Sequence, residues 1–205
     1  MRRIISVLFL ISACYVTLQA QQITLQDLFA KRSFRQSTVA GLASTNDGLN
    51  YTTLESGGQQ IVKYSYKTGE KTDLILDIKG LKNDSLTYAS EYVFSSNESK
   101  VLLMTDQKPI YRRSFTAVYF VYNFVTKELT RLSAGRQQVA LFSPDGERVA
   151  FVRNNNLYVK SLRFGTERQM TTDGEFNKII NGIPDWVYEE EFEFNRAFEW
   201  SPDSK

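Results

Sequence analysis

The sequence predicts an all-β chain assembled from repeated sheet units. Short runs of β-branched and aromatic residues are separated by turn signals, one turn motif recurs at long, nearly regular spacing, and the composition is that of an ordered chain. Phenylalanine (14), tyrosine (11) and tryptophan (2) are abundant while proline is scarce (4), which excludes a disordered chain. With 42% hydrophobic residues, the 205 residues suffice for one globular domain or a large part of one.

Residues 1–20 read as an export signal. Arg2 and Arg3 form a basic start, Ile4 to Val16 is nearly continuous apolar sequence, and Leu18-Gln19-Ala20 precedes Gln21 as a cleavage site. The apolar run is short for a membrane span. Ile11-Ser12-Ala13-Cys14 offers a rival reading, a lipobox whose cysteine is acylated; cleavage after Ala20 is favoured because apolar residues continue past Cys14. An exported protein is expected, in the periplasm, at the cell surface or in the medium. The mature domain then begins at residue 21 and runs to residue 205. Thr24 is placed to cap a short helix reaching Phe29 and containing Asp27.

Strands are expected at Tyr51–Glu55, Ile61–Tyr66, Val101–Met104 and Ala117–Val125, with turns at Asn46-Asp47-Gly48, Gly57-Gly58, Thr68-Gly69 and Asp145-Gly146. Phe142-Ser143-Pro144-Asp145-Gly146 leads into the strand-like Arg148-Val149-Ala150-Phe151. Phe94-Ser95-Ser96-Asn97-Glu98 before Lys100-Val101-Leu102-Leu103 aligns with it position for position. Thr45-Asn46-Asp47-Gly48 is a weaker copy, and Trp200-Ser201-Pro202-Asp203-Ser204-Lys205 starts another. The aligned positions 45, 95, 143 and 201 are spaced by 50, 48 and 58 residues. Second elements recur as well: Tyr64–Thr72 and Tyr122–Thr130 both read strand, turn, strand, and Asn156–Leu162 takes a similar place. A period near 50 with several strands per unit indicates β-propeller blades, about three and a half of them, and such an array is expected to continue beyond Lys205. The sequons Asn83-Asp84-Ser85 and Asn97-Glu98-Ser99 are read as surface turns.

Several functions are excluded within these residues. Histidine is absent, so no complete Ser-His-Asp or Cys-His site and no histidine-ligated metal is available. Cys14 is the single cysteine, and no G-x-S-x-G elbow occurs. No cofactor is expected. The net charge is +2 with scattered basic residues and no stripe suited to nucleic acid.

The last interval is 10 residues longer than the one before it, and the excess contains Glu189-Glu190-Glu191. Acidic runs are ordinarily solvated. This one is flanked by Trp186, Tyr188, Phe192 and Phe194, a setting that can hold carboxylates partly out of water and favour cation binding. A short helical or irregular insertion is expected to carry it. Consecutive helical residues diverge by about 100°, so convergence of Glu190 and Glu191 is expected to need a distorted turn. Trp186 and Tyr188 are expected to support the turn by packing.

Asn181-Gly182-Ile183-Pro184-Asp185-Trp186-Val187-Tyr188-Glu189-Glu190-Glu191-Phe192, with Tyr111-Arg112-Arg113-Ser114-Phe115-Thr116-Ala117 and the Ser-Pro-Asp-Gly turn, resembles the dipeptidyl peptidase IV family of the prolyl oligopeptidase superfamily. The resemblance is strong from about Arg112 onward and weak before Tyr64. It implies an eight-bladed propeller joined to a C-terminal α/β-hydrolase domain bearing the catalytic triad, and release of dipeptides with proline or alanine second. It further implies that Glu190 and Glu191 bind the substrate's free α-amine, that Arg112 meets a substrate carbonyl and steadies the acids, and that Glu189 is a structural neighbour. Where the family often has histidine, this chain has Arg113. The expected partners are peptides with a free N-terminus and the hydrolase domain, and a homodimer is left open. The chain alone is expected to be inactive. A non-catalytic periplasmic propeller that scaffolds other proteins is the alternative.

Overall fold

The computed structural model describes residues 22–36, 39 and 41–205. The export signal read over residues 1–20, including Cys14, lies outside the described residues. The chain divides into two compact units, Met1–Thr38 and Val39–Lys205. In the first, a wide helical turn spans Gln26–Ala30. Thr24 and Asp27 exchange hydrogen bonds at its start: Asp27 N donates to Thr24 Oγ1 (3.1 Å) and Thr24 N donates to Asp27 Oδ2 (3.0 Å), the pairing expected of a cap at Thr24.

In the second unit, alternating apolar runs and turns produce three antiparallel sheets of four strands among the described residues. The first contains β1 (Ala43–Ser44), β2 (Asn50–Glu55), β3 (Gln60–Ser65) and β4 (Lys71–Asp77). The second contains β5 (Glu91–Phe94), β6 (Lys100–Pro109), β7 (Phe115–Asn123) and β8 (Glu128–Arg131). The third contains β9 (Gln138–Phe142), β10 (Arg148–Arg153), β11 (Asn156–Ser161) and β12 (Glu167–Gln169). Each sheet is a meander whose spatial order follows the chain, and none closes into a barrel. This is the all-β partial propeller that the repeat predicts: three blades and the opening turn of another. The recurring turn joins the first two strands of each blade, and the second recurring element is the third strand.

The turn is a small hydrogen-bonded machine repeated four times. Its first residue donates a side-chain hydroxyl to the third: Thr45 to Asp47 Oδ1 (2.6 Å), Ser95 to Asn97 Oδ1 (2.9 Å), Ser143 to Asp145 Oδ1 (2.5 Å) and Ser201 to Asp203 Oδ1 (2.6 Å). Its fourth residue has positive φ in every copy: Gly48 (66°), Glu98 (55°), Gly146 (68°) and Ser204 (62°). Adjacent turns touch. Asn46 Nδ2 donates to Ser96 O (2.6 Å), the Ser96 hydroxyl donates to Pro144 O, and Asp145 N donates to Ser204 Oγ (3.0 Å). The sequon at Asn97 is thus a turn, as expected.

Period-two alternation on β6 and β7 sends side chains to both faces of the middle blade. Val101, Leu103, Val118, Phe120 and Tyr122 pack towards the first blade, with Ile61, Leu76 and Ile78. Leu102, Met104, Ala117, Tyr119 and Val121 pack towards the third, with Val149, Phe151 and Tyr158. Continuous apolar strands follow directly from this, because the blade is buried on both sides. The outer strands β4, β8 and β12 are mostly exposed and polar, which protects the sheet edges.

Candidate functional site

The site joins two departures from the regular array. The first is the β6–β7 hairpin. The expected strand Val101–Met104 runs on to Pro109, past a bulge between Thr105 and Lys108 where Asp106 takes φ 48°. Arg136 staples the bulged base: its Nε and Nη2 donate to Thr116 Oγ1 and Thr116 O (both 3.0 Å), and its guanidinium pairs with Asp106. The tip closes by Ile110 N donating to Ser114 O (2.8 Å), and it carries Tyr111, Arg112 and Arg113.

The second departure is the segment 170–199, which contains α1 (Trp186–Phe192). It docks on the third blade through Gly182. This residue has φ 79°, and an added Cβ would lie 2.7 Å from Val152 Cγ2 and 3.3 Å from Leu157 Cδ1, so only glycine fits. Ala197 N donates to Gly182 O (3.0 Å), closing the segment around the helix. Asp185, in extended conformation, caps α1 by accepting from Tyr188 N (3.1 Å), and Glu193 ends it at φ 62°.

Glu189 is buried, 2% exposed. Its Oε1 accepts from Arg113 N (2.6 Å) and Ser114 N (2.9 Å) at the hairpin tip. Hydrogen bonds to a charged group contribute about 1.5–3 kcal/mol each. Burial pushes the Glu189 pKa up, but the Ser114 side chain, the Arg113 and Ser114 amides and the nearby Arg113 charge hold it below the usual glutamate value. The Ser114 hydroxyl lies beside the carboxylate without an aligned bond, so the backbone amides define the geometry. Asn195 Nδ2 donates to Arg113 O (2.9 Å), and the Arg113 guanidinium pairs with Glu193 (2.9 Å).

Arg112 Nε stands 3.4 Å from Glu190 Oε2. The Glu190 side chain is 17% exposed and that of Arg112 72%, so the pair sits at the surface with its acid half-sheltered. The structure therefore brings Arg112 and Glu190 together, and Glu191 follows one residue further along α1 on its exposed side. The distorted turn expected to converge the two acids is not present. Asp185 caps an ordinary α-helix, and the acids diverge by about 100° as helical neighbours do. Of the expected aromatic support, Tyr188 packs on Phe192 and Phe194 (ring centroids 5.3 and 5.9 Å), while Trp186 stays more than half exposed.

A concavity of about 870 Å³ opens beside this arrangement, walled by Ile110, Tyr111, Phe176, Ile180, Trp186 and Glu189. Arg112, Glu190 and Glu191 do not line it. The candidate site is the Arg112–Glu190 pair with Glu191 next along α1. Sequence reasoning missed Arg136, Glu193 and Asn195. No periodicity marks them, since each acts across tens of residues of chain.

An arginine paired with a half-sheltered carboxylate, with an open carboxylate next along the helix, can hold a cation that also presents a carbonyl to the arginine. Comparisons with known proteins agree on the family of the chain. Residues 95–205 match the model of the dipeptidyl peptidase IV N-terminal region. A protein named probable dipeptidyl-aminopeptidase B, from Arthroderma gypseum, is 46% identical over 121 residues, covering 56% of this chain and 13% of that one. Human prolyl endopeptidase FAP is 36% identical over 154 residues, covering 74% and 20% respectively. The crystal structure of Porphyromonas gingivalis dipeptidyl peptidase 4 superposes with a TM-score of 0.81 at 35% identity, covering 90% of this chain and 27% of that one. The chain thus spans between about an eighth and a quarter of the length of these relatives. It belongs to the dipeptidyl peptidase IV N-terminal region family.

Proposed function

We propose that this chain is the substrate-selecting propeller portion of an exported serine exopeptidase that releases N-terminal Xaa-Pro or Xaa-Ala dipeptides. Glu190 and Glu191 bind the free α-amine of the peptide, and Arg112 binds a substrate carbonyl while countering the acids. The observation that carries this reading is the Arg112–Glu190 pair at 3.4 Å, formed between a hairpin tip and a helix with no sequence proximity. The nucleophile and its base come from a hydrolase domain elsewhere in the complete protein.

The chemistry follows from what an exopeptidase must distinguish. A free α-amine is cationic below about pH 7.7–8, whereas an internal amide is neutral. Two carboxylates accept several N–H donors from the amine, each bond worth about 1.5–3 kcal/mol. An internal chain leaves them unsatisfied, which rejects it. Their fixed distance from the nucleophile measures off two residues. Arg112 offsets the repulsion of two adjacent negative charges. The scaffold alternative has no comparable support: the relatives described above all carry the names of peptidases.

In the complete protein, Glu190→Gln and Glu191→Gln are expected to lower dipeptide release from an unblocked Gly-Pro amide by about tenfold or more with folding unchanged. Near-normal cleavage by both variants would sink the assignment.

A further inference from the structure

Arg112 is largely exposed, and a surface ion pair alone holds a long side chain weakly. Its place must be set by its backbone. A peptide unit is planar, so fixing an N–H or C=O fixes the whole unit. The unit between Arg112 and Arg113 is held through Arg113 N, which donates to Glu189 Oε1 (2.6 Å). The next unit is held at both ends: Ser114 N donates to the same oxygen (2.9 Å), and Arg113 O accepts from Asn195 Nδ2 (2.9 Å). Both peptide planes around Arg113 are therefore gripped by side chains from α1 and the irregular segment after it. Glu189 directly precedes Glu190, so one residue fixes the distance between the acids and the arginine. The Arg113–Glu193 pair (2.9 Å) adds a third link on the same tip.

We propose that Glu189 and Asn195 are positioning residues for the amine site: they latch the hairpin tip to α1 and thereby set Arg112 against Glu190. This rests on the amine-site reading above. In it, the first glutamate of the acidic run builds the site and the second and third occupy it. Its negative charge is spent on two amides of the chain itself and is not offered to a substrate.

The test uses the complete peptidase and a free-amine Gly-Pro amide. Glu189→Gln retains a carbonyl acceptor for both amides and is expected to keep KM within about threefold of the parent. Glu189→Leu and Asn195→Asp, which each remove one grip, are expected to raise KM about tenfold or more, with kcat within about threefold and an unchanged circular dichroism spectrum. Should Glu189→Leu fail to fold, Asn195→Asp carries the test, being isosteric. Unchanged KM in folded Glu189→Leu and Asn195→Asp overturns the latch. A loss in Glu189→Gln as large as in Glu189→Leu also overturns it, because the charge and not the acceptor would then matter. Glu190→Gln run alongside separates the two claims: normal activity there defeats the amine site itself, whereas loss there with intact latch variants defeats only the positioning role.

Discussion

The blade turns and the segment 170–199 both close the chain on itself, and they do so by opposite means. Each turn closes itself with bonds between residues at most about five apart, as when Ser143 N donates to Arg148 O (2.9 Å) and Arg148 N donates to Ser143 Oγ (3.0 Å), and reaches further only to touch the next turn of the same kind. The inserted segment takes its partners from afar: Glu189 reaches Arg113 and Ser114, and Asn195 reaches Arg113. The turns accept different residues at the same place, Glu98 where another copy has Gly146, because only a backbone shape and one hydroxyl are required. The latch requires particular side chains at particular distances. Structure that repeats is locally encoded and substitutable, while the docking of an inserted segment depends on contacts that no local rule supplies.

The sharpest way to break the comparison is at Gly182. A valine there meets both a positive φ and a clash with Val152, and is expected to cost about 2–4 kcal/mol. Limited proteolysis should then cut within 170–199 while the blades stay resistant. Equal loosening of the blades would mean that the segment is not a separately docked element. A smaller effect is expected from Ser143→Ala, which removes the turn hydroxyl and costs about 1 kcal/mol. Hydrogen exchange should quicken at Arg148 and Glu147 and leave the Arg113 and Ser114 amides unchanged.

Acid separates the two regions most gently. Hydrogen bonds from Ser143 and the Glu147 amide hold Asp145 below the usual aspartate value, and Asp203 is lowered by Lys205 and Ser201. Glu189 is lowered too, against the pull of burial. A carboxylate with a depressed folded pKa stabilises the fold above its unfolded pKa and loses that contribution as pH falls through the folded value. The turn acids are exposed and screened, so protonating them should change little. Protonating buried Glu189 turns two charge-assisted bonds into neutral ones and should loosen the hairpin tip to the level of the Glu189→Gln variant. Hydrogen exchange from pH 5 downward (about the top of the carboxylate range) should show protection at Arg113 and Ser114 falling in the parent to the level of Glu189→Gln, with no such acid-dependent fall in the variant. Identical pH profiles in both proteins would contradict the assignment of that step to Glu189.

The blades were legible in the sequence for a physical reason. Ser-Pro-Asp-Gly and its copies specify a turn through residues adjacent in the chain, and their hydroxyl and positive-φ positions recur in the structure. Apolar runs such as Leu102–Met104 announced buried strands directly. The extension of β6 to Pro109 was not legible, since Asp106-Gln107-Lys108 is polar and projects beyond the core. At the site, Arg112, Glu190 and Glu191 were found through their motifs, and Glu189 was assigned a structural place. The grip of Asn195 and the Arg113–Glu193 pair escaped, because an asparagine or a surface charge carries no signature of a partner tens of residues away. The distorted turn was not needed: α1 is regular, and two flexible glutamate side chains can reach one ammonium from adjacent helical positions, as Glu190 reaches Arg112.

The central claim is that the acids read the charge of a free N-terminus, and the most direct measurement is discrimination. The ratio of kcat/KM for a Gly-Pro amide with a free amine to that for its N-acetylated form should be compared between the complete parent protein and its Glu190→Gln variant. The account expects the ratio to fall by about tenfold or more, through loss on the free-amine substrate alone. A ratio equal to that of the parent would contradict it.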